Sequence, residues 1–141
     1  MKRKAVIIKE SNDGKRCIAV DRINAKAILA YLKRDKRHTK KFLDICNLIF
    51  AGLHNPFLYD KEEFDDKSHG VRAMKFFKGQ ENDRIYCKEM TIKNKTFVVI
   101  TSELLEKKKT QKLSHLEKTI IHKVATYDYE IEEPKGDKES I

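Results

Sequence analysis

Hydrophobic and polar positions change rhythm several times along the chain. Two apolar runs, KAVIIKES at 4–11 and KRCIAV at 15–20, flank Asn12-Asp13-Gly14. An Asn/Asp-Gly pair between apolar runs is a strong short-range turn signal, so the N-terminus is expected to be a β-hairpin at about residues 5–20. From Asp21 the period lengthens. Ile23, Ala27, Ile28, Tyr31 and Leu32, then Phe42, Leu43, Cys46, Ile49 and Phe50, recur at helical spacing. Gly52 and Asn55-Pro56 end that stretch, which predicts two helices, or one bent helix, over 22–51. A polar, acidic link, YDKEEFDDKSHG at 59–70, precedes three strand-like runs: VRAMKFF, RIYCKEMTI and TFVVITSELL, with Lys93-Asn94-Lys95 as the turn between the last two. Ser114-His115-Leu116-Glu117 matches a capping box, in which the Ser114 hydroxyl and the Glu117 carboxylate satisfy each other's backbone amides. It opens a last helix with Leu116, Ile120, Val124 and Tyr127 as its apolar stripe.

The order predicts an α+β fold: an N-terminal β-hairpin, two helices, a three-stranded antiparallel meander and a C-terminal helix, with the helices on one sheet face and the other face open. Residues 1–133 read as a single domain and 134–141, rich in charge with Pro and Gly, as a flexible tail.

Composition narrows the functional classes. The 141 residues include 31 Lys and Arg against 22 Asp and Glu, a net charge of +9 that draws polyanions such as RNA or an acidic protein. No run approaches the roughly 20 apolar residues of a membrane span, and the apolar start is too short for a signal peptide, so a cytoplasmic location without a membrane partner is expected. Cys17, Cys46 and Cys87 are odd in number and set in apolar sequence, as reduced core thiols would be. The five histidines make no metal-binding spacing, so neither a metal nor another cofactor is expected.

Two lysine-rich stretches stand out. KRDKRHTKK at 33–41 has six basic side chains and reads first as the wet face of an amphipathic helix, with phosphate contact as the alternative. LLEKKKTQK at 104–112 follows a buried-looking strand, where gathered lysines repel unless something negative lies among them. Strand parity places Arg84, Tyr86 and Lys88 on one face and Ile85 and Cys87 on the other. In VRAMKFF the parity is mixed, with Lys75 expected beside Arg84 and Arg72 nearer the rim.

GVRAMKFF, then ENDRIYCKEM, then TFVVITSELLEKKKTQKLSHLEKTI resembles the RelE/ParE superfamily of bacterial toxin-antitoxin toxins, in particular its HigB-like branch. In that branch a Leu-x-Glu-Leu-Arg strand, a Tyr-Arg-Val-x-Tyr strand and a Lys-Lys-Thr-Gln-Lys segment before a C-terminal helix recur in this order. Lys108-Lys109-Thr110-Gln111-Lys112 carries the most specific part, and the match covers residues 70–127. Lys75 stands where the family has arginine, Ala73 where it has glutamate, and Leu105-Glu106-Lys107 where an aromatic precedes the lysine pair.

The resemblance implies a metal-independent mRNA endoribonuclease, dependent on the ribosome, in which the ribose 2′-hydroxyl attacks the adjacent phosphate. Such chemistry needs a base for the hydroxyl, cations for the phosphorane and an acid for the leaving 5′-oxygen. Lys75 or Lys109 is then base or acid, each lowered in pKa by neighbouring cations. Arg84 clamps the phosphate with its planar fork. Arg72, Lys108 and Lys112 position the RNA backbone, and Tyr86 and Tyr127 stack bases or simply pack. His115 and His122, seven apart, lie on one helix side as a further acid and base or as exposed residues. The implied partners are mRNA, the ribosome and a cognate antitoxin protein. Two alternatives remain on the same scaffold: a non-catalytic binding module, and a gyrase-targeting toxin of the ParE type.

Overall fold

The computed structural model describes residues 2–106 and 113–132. The chain forms β1 (Arg3–Glu10), β2 (Arg16–Asp21), α1 (Ala25–Leu32), α2 (Lys36–Phe50), β3 (Tyr59–Lys61), a 3-10 turn (Asp66–Ser68), β4 (Arg72–Phe76), β5 (Asp83–Thr91), β6 (Phe97–Leu105), α3 (His115–Ala125) and β7 (Tyr129–Glu132). The sheet runs β3-β4-β5-β6-β2-β1-β7.

The N-terminal hairpin forms as its turn signal dictates. Gly14 takes φ +70, a conformation a Cβ resists, and its amide donates to the Ser11 carbonyl at 3.0 Å. The helical stretch divides in two because Asp35 is an extended N-cap whose side chain accepts from the His38 amide, starting α2 anew after α1 ends at Leu32. At α3 the capping box is present with both reciprocal bonds, Ser114 Oγ accepting from Glu117 N and Glu117 from Ser114 N. The β4-β5-β6 meander is antiparallel throughout.

Four expectations differ from the structure. There are seven strands among the described residues, not five, because β3 lies inside the acidic link and β7 follows α3. Tyr59 and Tyr129 explain the additions, since Tyr59 packs its partly buried ring and Tyr129 its buried one against the core while each hydroxyl reaches a carboxylate, Glu89 and Asp21 respectively. The helices do not share one sheet face. Alternate strand residues separate into two cores, one where Met74, Phe76, Ile85 and Cys87 meet α1 and α2, and another where Ala73, Tyr86, Val98 and Ile100 meet Ile121 and Val124 of α3. The face expected to stand open is therefore covered over most of its middle by the last helix. Finally, the first half of the apolar stripe of α3 is displaced by one position, with Glu117 and Ile121 buried and Leu116 59% exposed, while Val124 and Tyr127 are buried as expected. Adjacent Ile120 and Ile121 make the period ambiguous, and Tyr86 decides it by bonding Glu117.

The three cysteines are buried and in no disulfide among the described residues, and burial pushes the Cys46 thiol up to about 12. No helix among the described residues is long and apolar enough to cross a membrane.

Candidate functional site

The β4-β5 hairpin sets the geometry of the expected catalytic group. Lys75 and Arg84 are directly opposed in the antiparallel ladder, so their side chains leave the same sheet face as neighbours. Lys75 is half-buried, and Arg84 is only 4% exposed. Arg84 Nη1 donates to its neighbour's carbonyl, Asp83 O, at 3.0 Å, while Nε is buried without a hydrogen-bond partner among the described residues. A guanidinium in that state bears a desolvation cost that no adjacent carboxylate offsets through Nε. Burial pulls the Lys75 ammonium below its ordinary 10.5; Glu62 opposes this, and the Arg84 charge adds to the lowering. A lysine of this kind gives up its proton more readily than an exposed one, which suits a base.

The remaining expected residues distribute differently. Lys108, Lys109 and Lys112 lie outside the described residues. Arg72 leaves β4 on the opposite side from Lys75, where its Nε donates to Glu89 Oε1 at 3.3 Å. There it lines a cleft of about 280 Å³ with Arg16, His54, Tyr59 and Phe97. Tyr86 shares the Lys75–Arg84 side but is fully buried, its hydroxyl donating to Glu117 Oε2 at 3.2 Å. Tyr127 donates to Glu103 Oε2 at 2.7 Å and carries the Arg3 guanidinium 3.8 Å above its ring. Burial, then those carboxylates, raise both phenols far above the ordinary tyrosine value, so neither passes a proton near neutrality. His122 Nε2 lies 2.8 Å from Asp65 Oδ2 with its ring against Phe64, which makes it a tie between α3 and the 3-10 turn. His115 is exposed at the start of α3.

A second cationic surface, read from sequence as a wet helix face, is the larger concavity. A groove of about 820 Å³ opens between α2 and the end of β4. Lys36, Arg37, Lys40 and Lys41 line one wall, Lys75 and Lys78 the other, and Asp44 is the one carboxylate among its lining residues. Arg37 stacks 3.5 Å from the centre of the Phe77 ring, and Lys78 Nζ sits 4.3 Å from that of Phe57, which is 62% exposed. Cations interleaved with aromatic faces fit a phosphodiester chain and its unstacked bases. The signal in the sequence was the i,i+4 pairing of Lys36 with Lys40 and Arg37 with Lys41, which puts four charges along one helix side. What could not be read was that Phe57 and Lys78, from two separate loops, close the opposite wall.

Lys75 belongs to both arrangements, as the partner of Arg84 and as a lining residue of the groove. Comparison with the models of known families, with curated proteins and with solved structures returns no match, so these contacts are what describes the site.

Proposed function

We propose that the protein is the toxin of a toxin-antitoxin pair and acts on mRNA as an endoribonuclease at the ribosome, without a catalytic metal. The single observation that carries this reading is Lys75: a lysine with a lowered pKa, opposed to the buried Arg84, at the wall of a groove lined by six cations. In this reading the groove holds the RNA backbone, Lys75 takes the proton of the ribose 2′-hydroxyl, and Arg84 stabilises the charge that develops on the phosphorane. The acid for the leaving 5′-oxygen is supplied by Lys109, on the resemblance of the Lys108–Lys112 segment. A cognate antitoxin neutralises the protein by laying acidic side chains in the groove.

The test is incubation of the purified protein with ribosomes and a defined mRNA, with 3′ ends mapped by primer extension. Cleavage that disappears in Lys75→Ala and persists in chelator supports the assignment. Intact transcripts overturn it. A second reading, a non-catalytic RNA-binding module, is favoured by the burial of Arg84 and Tyr86, which keeps both from the solvent face. Retention of RNA that weakens in Lys40→Ala, with no cut at any ribosome concentration, selects that reading.

A further inference from the structure

His38 sits on the first turn of α2, 97% hidden from solvent, with its ring edge-on to Tyr31 and Phe77. Its Nδ1 lies 2.7 Å from Asp35 Oδ1. An ionised carboxylate only accepts, so Nδ1 carries the proton, and in the neutral ring the lone pair resides on Nε2. Nε2 is buried and has no hydrogen-bond partner among the described residues. It does have neighbours. One donor atom each from His38, Glu81 and Asp83 lie within 4.8 Å of one another. Two carboxylates beside a bare imidazole lone pair repel, and a cation among them removes that repulsion.

We infer that His38 Nε2, Glu81 and Asp83 form a binding site for a divalent transition-metal ion of the zinc type. Three features beyond the ligands support it. Two of the ligands are fixed from behind: His38 by Asp35, and Asp83 by the Tyr31 hydroxyl at 2.6 Å from Oδ2. A carboxylate on the far ring nitrogen is the arrangement that orients a metal-ligating histidine and raises its basicity. The ligand charges match as well, since two carboxylates and a neutral imidazole equal a divalent ion once Glu81 has turned from Arg37. One imidazole with two carboxylate oxygens is a borderline donor set that suits zinc, manganese or cobalt and leaves a coordination position for water. Metal-ligand bonds of about 2.1 Å span somewhat less than the observed donor spread. Glu81, with a side chain 41% exposed, closes the difference by rotating away from Arg37.

The ion would join elements that are far apart in sequence, the start of α2 and the β4-β5 turn. Its position is structural: the ligands flank the core beneath α1 and α2, on the other side of the sheet from Lys75 and Arg84. The inference does not rest on the nuclease reading and has its own readout.

Titration of the metal-free full chain with Co²⁺, followed by visible d–d absorption, tests it directly. One Co²⁺ per chain, displaced by Zn²⁺ and accompanied by a higher melting temperature, is the expected result. Glu81→Gln and Asp83→Asn should each weaken binding by at least about 10-fold, the scale on which lesser changes around metal ligands act. Glu81 lies at the surface, so its variant folds without the ion and keeps the test meaningful if Asp83→Asn does not. Absence of saturable Co²⁺ binding at about 1 mM, the weak limit of specific association, overturns the inference. So does binding that is unchanged in Glu81→Gln, which would move the ion to other side chains.

Discussion

Arg72 and Arg84 belong to the same hairpin, one on β4 and one on β5, and they leave the sheet in opposite directions. Arg72 has a carboxylate: Glu89 holds its Nε and also accepts from the Tyr59 hydroxyl at 2.6 Å, so cation, anion and phenol form a closed set. Arg84 is the more buried of the two, has a main-chain carbonyl for one Nη, and leaves Nε unmet. Its cross-strand neighbour is another cation, Lys75. A paired arginine explains itself through the fold. A desolvated one beside a lysine costs stability, and such costs persist where an anion is to be bound.

The strongest way to break this contrast is Arg84→Met, which keeps volume and removes charge. RNA cleavage should fall by about 100- to 1,000-fold, the scale of a lost transition-state donor, while stability holds or rises by about 1 kcal/mol. Cleavage at the parent rate with a lowered melting temperature would make Arg84 structural. The opposite pattern is expected at Arg72→Ala. Leaving Glu89 to Tyr59 alone should cost about 1 kcal/mol in chemical denaturation, with cleavage unaltered.

Tyr86→Phe sharpens the same comparison, because Tyr86 shares the side of Arg84 yet is sealed by α3. Loss of its bond to Glu117 should lower stability by about 1 kcal/mol, and RNA affinity should stay constant because no base reaches the ring. A drop in affinity without loss of stability would return it to the RNA-binding surface. In the pH profile, cleavage should climb as Lys75 loses its proton, on a limb below the ordinary lysine value of 10.5, because burial and then Arg84 favour the neutral amine. A limb at or above 10.5 excludes Lys75 as the base. The smallest effect concerns Asp65, an exposed group whose carboxyl is held below its ordinary 3.8; burial opposes this shift and the His122 contact drives it. A depressed carboxyl contributes stability above its unfolded value that is lost as pH falls through the folded one. Asp65→Asn should therefore flatten the melting temperature slightly below pH 3.8 and leave it nearly unchanged at neutrality.

Local signals in the sequence are legible where chemistry and backbone agree. Gly14 at its turn, Ser114 and Glu117 at their box, and the alternation of Ile85 and Cys87 against Arg84 and Tyr86 each depend on neighbours within a few residues. What escaped depends on partners remote in the chain. Asp21 is one case: its carboxylate accepts from Arg3, Tyr129 and the amides of Ile23 and Asn24, and so fixes the end of β2, the start of α1 and the docking of β7. Nothing near residue 21 announces the role of Tyr129. The same holds for the site. Parity in β4 is mixed and leaves Lys75 beside Arg84 as a choice over Arg72, and the covering of Tyr86 by Glu117 and the meeting of Phe57 with Lys78 are long-range packing outcomes.

The parallel pairing of β2 with β6, Arg16 against Phe97 through Val20 against Thr101, has a consequence for biogenesis. The β1-β2 hairpin is synthesised well before its inner neighbour, β6, and longer still before its outer one, β7. Closing contacts so distant in sequence is slow relative to local pairing. The hairpin thus stays unjoined to the rest of the sheet until β6 has been made, a delay that removal of β6 should make permanent.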